Sequence, residues 1–196
     1  MRIVILGSGE GTNAVAIMKA AVEQQLGDTE IVGVFSDVRE AMILEHAKSF
    51  NFSSNYLDPG NQKTIISITE EDRWIHSIQE LNPDLIVLAG FMRILKPKFL
   101  SEFKNKIINL HPSLLPSFPG LNSIERAFNK KVKITGCTVH WVNEEIDGGE
   151  IIAQAPVRIM NGDVLELVKQ KVNAAEHMLL PWVIRDLAIG VIPFIE

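Results

Sequence analysis

An amide donor, Asn109, and an imidazole that can carry a proton, His111, follow the short apolar run 106–108. Side chains two residues apart on a strand point to the same face, so an amide and an imidazole would project together from the strand end. That pair suits stabilisation of an oxyanion and transfer of a proton near neutral pH. Further along, the glycine turn 147–149 offers the carboxylate of Asp147 as an orienting partner for the imidazole. Taken alone, the pattern fits equally a turn-capping Asn and a satisfied loop His.

A second candidate site is the glycine turn at residues 7–13, which reads Gly-Ser-Gly-Glu-Gly-Thr-Asn. It lies between a predicted strand and a predicted helix, where free backbone N–H groups and the helix dipole favour a phosphate. The turn lacks the ending of a Walker A loop, and Thr12 replaces the third glycine of a dinucleotide fingerprint. Because Asp37 follows the second predicted strand, the dinucleotide interpretation stays open, as does that of a plain tight turn.

Composition narrows the class of protein. A chain of 196 residues, 46% hydrophobic and 22% charged, predicts one soluble globular domain. The net charge of −5 argues against nucleic-acid binding. The single Cys137 excludes an internal disulfide and a cysteine-based zinc site, and we expect it on a core strand. Without a signal peptide or an apolar stretch of membrane-spanning length, we expect a cytoplasmic protein with no membrane and no metal.

The two candidate sites must be positioned by the strands and helices around them, which alternate along the chain. Apolar runs at 3–6, 31–35 and 85–89 predict buried strands, and helical periodicity separates them. This order predicts a mostly parallel sheet covered on both faces, whose ligands bind beyond the carboxyl ends of the strands. The segments 7–13, 90–95 and 109–120 are expected at that edge.

The finer elements are also predicted from local signals. Thr69 with Asp72 resembles a capping pair that opens a helix with Trp74, Ile78 and Leu81 facing inward. Past residue 133, strands at 135–142 and 151–158 are joined by the Asp147 turn. A long helix is expected to begin at Asp163, with Glu166 three residues later, and to be kinked or divided by Pro181.

In their order and spacing, four motifs together resemble the phosphoribosylglycinamide formyltransferases, folate-dependent enzymes of purine synthesis. They are Gly-x-Gly-Thr-Asn at 9–13, Ala-Gly-Phe-Met-Arg-Ile-Leu at 89–95, Asn-Leu-His-Pro-Ser-Leu-Leu-Pro at 109–116, and Asp-Gly-Gly at 147–149. The resemblance extends to Glu176 and His177. It implies an α/β, Rossmann-like formyltransferase fold: a doubly wound, mostly parallel sheet with an antiparallel C-terminal portion and a long C-terminal helix. We expect a single domain over 1–196, with a phosphate-binding half (1–100) and a folate-binding, catalytic half (101–196).

The resemblance also implies roles for single residues. Asn109 and protonated His111 would stabilise the oxyanion formed when the amine of glycinamide ribonucleotide attacks the formyl group of 10-formyltetrahydrofolate. Asp147 would hold the imidazole and assist proton transfer. His140 is expected to act behind these residues rather than on substrate.

The binding residues implied by the resemblance fall into two sets. The phosphate would bind to Gly11, Thr12 and Asn13, with Glu176 at the ribose hydroxyls and Asn173 near the phosphate. The folate would lie against backbone and apolar groups of Met92, Arg93, Ile94, Leu95, Leu100, Ile107, Val142, Glu144 and Ile146. The segment 121–123 and the loop after residue 57 depart from the family pattern, so no role is carried over there.

Alternatives of other classes remain at this stage. One is a folate-dependent formyltransferase with a sugar-nucleotide or tRNA acceptor, which would call for a longer chain or a different phosphate turn. Another is a non-catalytic nucleotide-binding module that rests on the glycine turn and Asp37, which would leave the Asn, His and Asp unexplained. We expect small-molecule substrates and a monomer or weak homodimer.

Overall fold

A computed structural model describes residues 1–195 as a seven-stranded sheet with helices on both faces. The strands are β1 (Arg2–Leu6), β2 (Glu30–Ser36), β3 (Ser54–Tyr56), β4 (Leu85–Leu88), β5 (Ile107–His111), β6 (Ile134–Trp141) and β7 (Ile151–Arg158). The helices are α1 (Thr12–Val22), α2 (Met42–Ser49), α3 (Ile68–Gln79), α4 (Pro97–Glu102), α5 (Ser123–Asn129) and α6 (Leu165–Ala188).

The strand order is β3-β2-β1-β4-β5-β6-β7. The first five strands pair in parallel, and β6 and β7 add two antiparallel pairings at one side. The order reverses between β1 and β4, because β2 and β3 lie on one side of β1 and the later strands on the other. Such a switch point opens a crevice at the carboxyl ends of the strands. The predicted fold class is confirmed.

The core has two layers, one on each face of the sheet. One cluster joins α1, α2 and α6 to alternate residues of the central strands, such as Ile3 and Val87. The other joins α3 and α4 to the intervening residues, such as Val4 and Ile86. The central strands are therefore apolar on both faces, as expected for parallel strands buried from both sides.

Strand β5 divides its residues between the two faces. Ile108 and Leu110 belong to the cluster with α6, whereas Ile107 belongs to the cluster with α3 and α4. Alternation places Asn109 and His111 on the face of Ile107, nearer the carboxyl end of the strand. On β6 the predicted core residue Cys137 is fully buried, and burial raises the pKa of its thiol to about 12.

The prediction that Thr69 and Asp72 cap the start of α3 is wrong. The helix begins at Ile68 with Ser67 as the preceding residue, so Thr69 lies inside the first turn. The hydroxyl of Thr69 lies 3.0 Å from that of Ser67. Trp74 and Ile78 are buried as expected, while Leu81 lies beyond the helix end and is only half-buried.

The predicted start of α6 needs correction, and of the two outcomes expected at Pro181 a division of the helix does not occur. The helix begins at Leu165 rather than at Asp163, whose carboxylate accepts the Met160 N–H at 2.8 Å and pairs with Lys171. Pro181 lies inside the helix without dividing it. Leu180 and Val183, on either side of Pro181, are buried against the sheet. Their packing offsets the loss of the backbone hydrogen bond that a proline cannot donate.

None of the helices described over residues 1–195 is long and apolar enough to cross a membrane.

The contact between β6 and β7 generates a stability prediction at Gly136. A Cβ placed there would lie 2.1 Å from the carbonyl oxygen of Ala155 on the paired strand. Because this neighbour is backbone, it cannot yield without moving β7. We expect Gly136→Ala to lower the free energy of unfolding by about 3 kcal/mol. Chemical denaturation measures the change.

Gly9→Ala is the matched control, because a Cβ at Gly9 meets nothing within 4 Å. We expect it to change stability by less than about 0.5 kcal/mol. Equal stability of the two variants would contradict the close approach of β7 to Gly136.

Candidate active site

The carboxyl end of β5 carries Asn109 and His111 on one face of the sheet, as expected from their spacing. The antiparallel neighbour β6 sets His140 opposite Asn109 and Thr138 opposite His111. Directly opposed side chains on adjacent strands are close enough to interact. The register of β5 and β6 therefore assembles four polar side chains into one cluster. The sequence motif identified Asn109 and His111, the family resemblance implied His140, and Thr138 was not identified.

Asp147 reaches this cluster from the connection between β6 and β7. Its backbone adopts a left-handed conformation with φ of 53°, which few residues other than glycine adopt. Its Oδ2 lies 3.2 Å from His111 Nδ1 and accepts the Gly120 N–H at 2.7 Å. Its Oδ1 lies 3.7 Å from His140 Nε2. The carboxylate thus touches β5, β6 and the loop that follows β5.

The surroundings of Asp147 keep its carboxyl ionised. Burial alone would raise its pKa, but the His140 imidazole, the Gly120 N–H and the positive charge of His111 together lower the pKa below the usual 3.8. The ionised form accepts hydrogen bonds through both oxygens, which is what an orienting partner for an imidazole requires.

Both ring nitrogens of His111 face hydrogen-bond acceptors. Its Nε2 lies 2.9 Å from the carbonyl oxygen of Phe118, which can only accept, so Nε2 carries a proton. Its Nδ1 faces the ionised carboxylate of Asp147. With acceptors on both sides, the geometry fits an imidazolium with a proton on each nitrogen, both engaged by protein groups.

His140 orients the amide of Asn109. Its Nδ1 lies 2.8 Å from the carbonyl oxygen of Trp141 and donates there. Its Nε2 lies 3.2 Å from Asn109 Nδ2 and 3.7 Å from Asp147 Oδ1, so this nitrogen faces both groups. The side chain of His140 is 2% exposed, so it acts from behind the amide.

The loop between β5 and α5 is held by groups that the sequence analysis did not identify. The hydroxyl of Thr138 donates to the carbonyl of Ser113 at 2.7 Å and accepts the Leu115 N–H at 3.0 Å. Gln154 on β7 donates to the carbonyl of Leu115 at 2.9 Å. The alternation of β6 indicates which face Thr138 occupies, but only the strand pairing reveals that this face meets the loop.

The glycine turn after β1 leads directly into α1. Gly11, the residue before the helix, has φ of 73°, and a Cβ there would lie 2.6 Å from the Cβ of Ile43. The first N–H groups of a helix lack intrahelical acceptors, and no side chain caps this end. The backbone at Thr12 and Asn13 therefore presents donors at the carboxyl edge of the sheet.

Glu176 on α6 approaches the same turn from the far half of the chain. Asn13 Nδ2 donates to Glu176 Oε2 at 3.2 Å, and Asn13 Oδ1 is buried with no partner among residues 1–195. Burial raises the pKa of Glu176 to about 7, and the bond from Asn13 offsets this only in part. Asn173, one turn earlier, is exposed.

The segment after β4 is anchored by its backbone and by one buried ion pair. Arg93 Nε lies 2.6 Å from Asp37 Oδ2, and a second nitrogen of Arg93 donates to the carbonyl of Gln62. The Ile94 N–H donates to the carbonyl of Thr64 at 2.8 Å. The carboxylate that a dinucleotide interpretation would use is therefore engaged with Arg93.

The other residues predicted for the folate divide into buried and exposed sets. Leu95, Leu100, Ile107 and Val142 belong to the core layer with α3 and α4. Leu95 is 8% exposed, so its contribution to a surface is mainly backbone. Met92, Ile94, Glu144 and Ile146 are exposed. Among residues 1–195 the structure brings no three His, Cys, Asp or Glu side chains together as a metal site.

Similarity to known proteins identifies the family of this chain. Residues 1–184 match the family model described as formyl transferase. The chain belongs to the formyl transferase family. It is 37% identical to phosphoribosylglycinamide formyltransferase of Escherichia coli over 97% of this chain and 88% of that protein. It is 35% identical to the Bacillus subtilis protein of the same name, over 95% and 94% of the two chains. The resemblance expected from the sequence is confirmed.

Solved structures of this family agree with the fold. Glycinamide ribonucleotide transformylase 1 from Symbiobacterium toebii superposes with a TM-score of 0.90 at 38% identity, over 97% of this chain and 88% of that one. Phosphoribosylglycinamide formyltransferase from Brucella melitensis superposes with a TM-score of 0.88 at 38% identity, over 99% and 98%.

The burial of Glu176 generates a prediction of pH-dependent stability. Its folded pKa of about 7 lies above the usual 4.5, so the folded state binds the proton more tightly than the unfolded state does. The resulting stability is fully present below about pH 4.5 and is lost as pH rises through about 7. The unchanged protein should therefore lose about 3 kcal/mol of its free energy of unfolding over this range, and we expect no such loss in Glu176→Gln.

Urea denaturation between pH 4.5 and 8 measures the difference between the variant and the unchanged protein. Glu166→Gln is the matched control, because Glu166 lies on the same helix with a side chain 73% exposed. The control should follow the unchanged protein across the range. Parallel curves for Glu176→Gln would contradict the raised pKa.

Proposed function

We propose that this formyl transferase moves the formyl group of 10-formyltetrahydrofolate to the amine of glycinamide ribonucleotide, giving formylglycinamide ribonucleotide and tetrahydrofolate. The observation that carries the proposal is the cluster in which Asp147 contacts His111, and His140 orients Asn109, at the carboxyl edge of the sheet. The names of the related proteins supply the acceptor and the place in purine synthesis.

The proposed chemistry follows from these contacts. The amine nitrogen bonds to the formyl carbon, and the formyl oxygen takes up negative charge. Asn109 is proposed to donate to that oxyanion, and such a donor is typically worth about 10²–10³ in rate. His111 would join it by exchanging the bond from Nε2 to the Phe118 carbonyl for one to the oxyanion. The bond to folate N10 then breaks as a proton passes from the amine to N10, with Asp147 and His111 assisting the transfer.

The glycine turn is proposed to bind the phosphate of the ribonucleotide. Its support is the left-handed Gly11 and the free N–H groups at Thr12 and Asn13. Glu176, held against Asn13, would accept hydrogen bonds from the ribose hydroxyls, with Asn173 nearer the phosphate. The turn and the catalytic cluster lie at the same edge of the sheet.

The folate is proposed to lie against the segment after β4 and the connection between β6 and β7. Backbone groups of 92–95 would recognise the pterin ring. Leu100, Ile107 and Val142 would form apolar walls, and Glu144 and Ile146 would border the site. The support is that Leu95, Leu100 and Val142 pack in the same core layer as Ile107, which lies two residues before Asn109 on the same face of β5.

The identity of the acceptor substrate can be tested directly. Mixing the protein with 10-formyltetrahydrofolate and glycinamide ribonucleotide should release tetrahydrofolate, which is followed spectroscopically. The dephosphorylated acceptor forfeits several charge-assisted hydrogen bonds, so kcat/KM should fall by about 100-fold or more. Gly11→Val should raise KM for the ribonucleotide while folate binding is kept. Equal turnover of the two acceptors would overturn the phosphate site.

The catalytic pair is tested by a double-mutant cycle. Because Asp147 acts through His111, we expect His111→Ala, Asp147→Asn and the double variant each to lose about 100-fold or more in kcat, with the double close to the worse single. Ribonucleotide binding, measured by calorimetry, should survive. Glu145→Gln, an exposed carboxylate of the same connection, is the control and should keep its activity. Losses that multiply in full would show that the two residues act independently.

A further inference from the structure

Ser8 joins the glycine turn to the segment after β4. Its N–H donates to the carbonyl oxygen of Gly90 at 3.1 Å, and its hydroxyl oxygen accepts the Met92 N–H at 2.8 Å. These bonds extend the contact between β1 and β4 beyond their last paired residues, Leu6 and Leu88. The connection therefore lies at the switch point of the sheet.

The bond to Met92 is the one that orients the start of the segment. Further along, Arg93 is held by Asp37 and the Ile94 N–H by Thr64. Both of those anchors lie on the side of β2 and the loop after β3. Among residues 1–195, Ser8 alone contributes a side-chain bond from the turn to this segment. The Met92 side chain, 65% exposed, adds little packing of its own.

The hydroxyl proton of Ser8 is unused within the described part of the chain, where the oxygen acts only as an acceptor. A hydroxyl can donate and accept at once. When it donates to an anionic ligand, its oxygen becomes a stronger acceptor, because successive hydrogen bonds polarise one another. A ligand oxygen in the turn would thereby tighten the bond to the Met92 N–H.

We propose that Ser8 is a positioning residue that couples the two substrate sites, so that ribonucleotide in the glycine turn strengthens folate binding at the segment 92–95. The proposal rests on the proposed function. Coupling of this kind is reciprocal, so folate must strengthen ribonucleotide binding by the same factor. A coupling near the lower end of the usual range is about five-fold.

Calorimetry on the intact protein tests the coupling. Tetrahydrofolate and glycinamide ribonucleotide cannot react with each other, because neither carries a formyl group. The Kd of tetrahydrofolate is measured with and without saturating ribonucleotide. We expect the ratio of the two constants to be about five in the unchanged protein and close to one in Ser8→Ala, with Ser8→Thr keeping most of the ratio because it keeps the hydroxyl.

Asp37→Asn is the control for general damage to the segment. It weakens the other anchor and should lower tetrahydrofolate affinity to the same extent with and without ribonucleotide, leaving the ratio unchanged. A ratio of five that persists in Ser8→Ala, or a ratio near one in the unchanged protein, would overturn the role of Ser8 while both ligands still bind. Failure of the unchanged protein to bind either ligand would instead overturn the proposed function, and the coupling with it.

Discussion

The ionised carboxylate of Asp147 is the interaction on which the site depends. It comes from a turn with a left-handed backbone, yet it contacts the imidazole of His111, lies beside that of His140, and accepts a backbone N–H from Gly120. A buried carboxylate without such partners would take up a proton. The positive and polar groups around it therefore do two things at once: they keep Asp147 charged, and they are themselves oriented by it.

The sheet explains why those partners can meet. The parallel strands bring the glycine turn and the segment after β4 to one edge, as the chain reversal at the switch point requires. Strand β6 runs back along β5, so its last residue, Trp141, lies opposite Ile108 near the amino end of β5. The connection that follows β6 brings Asp147 to within 3.2 Å of His111. The antiparallel pairing thus contributes His140 and Thr138 opposite Asn109 and His111, and the connection after it contributes Asp147.

Glu176 shows a different balance of forces at the other side of the site. Here burial prevails over the single hydrogen bond from Asn13, and the pKa rises to about 7. Asp147 has several favourable partners and its pKa falls below the usual value. Two carboxylates in one chain therefore differ in charge near neutral pH because they differ in the number of donors that face them. The less satisfied one is adjacent to the turn proposed to bind substrate, where a ligand could supply the missing bonds.

Local sequence determined the features that depend on neighbouring residues. Apolar runs identified the central strands, the spacing of Asn109 and His111 placed them on one face, and the glycines marked the turns at Gly11 and Asp147. Helix starts were less reliable: Asp163 and Thr69 resemble caps but lie away from that position, because side chains such as that of Asp163 found other partners. The roles of Thr138 and Ser8, and the contacts that hold His140 behind Asn109, required the tertiary structure. Their bonds cross between strands and loops distant in sequence, and the register of β5 against β6 and of β1 against β4 is set by packing of the whole sheet rather than by any local pattern.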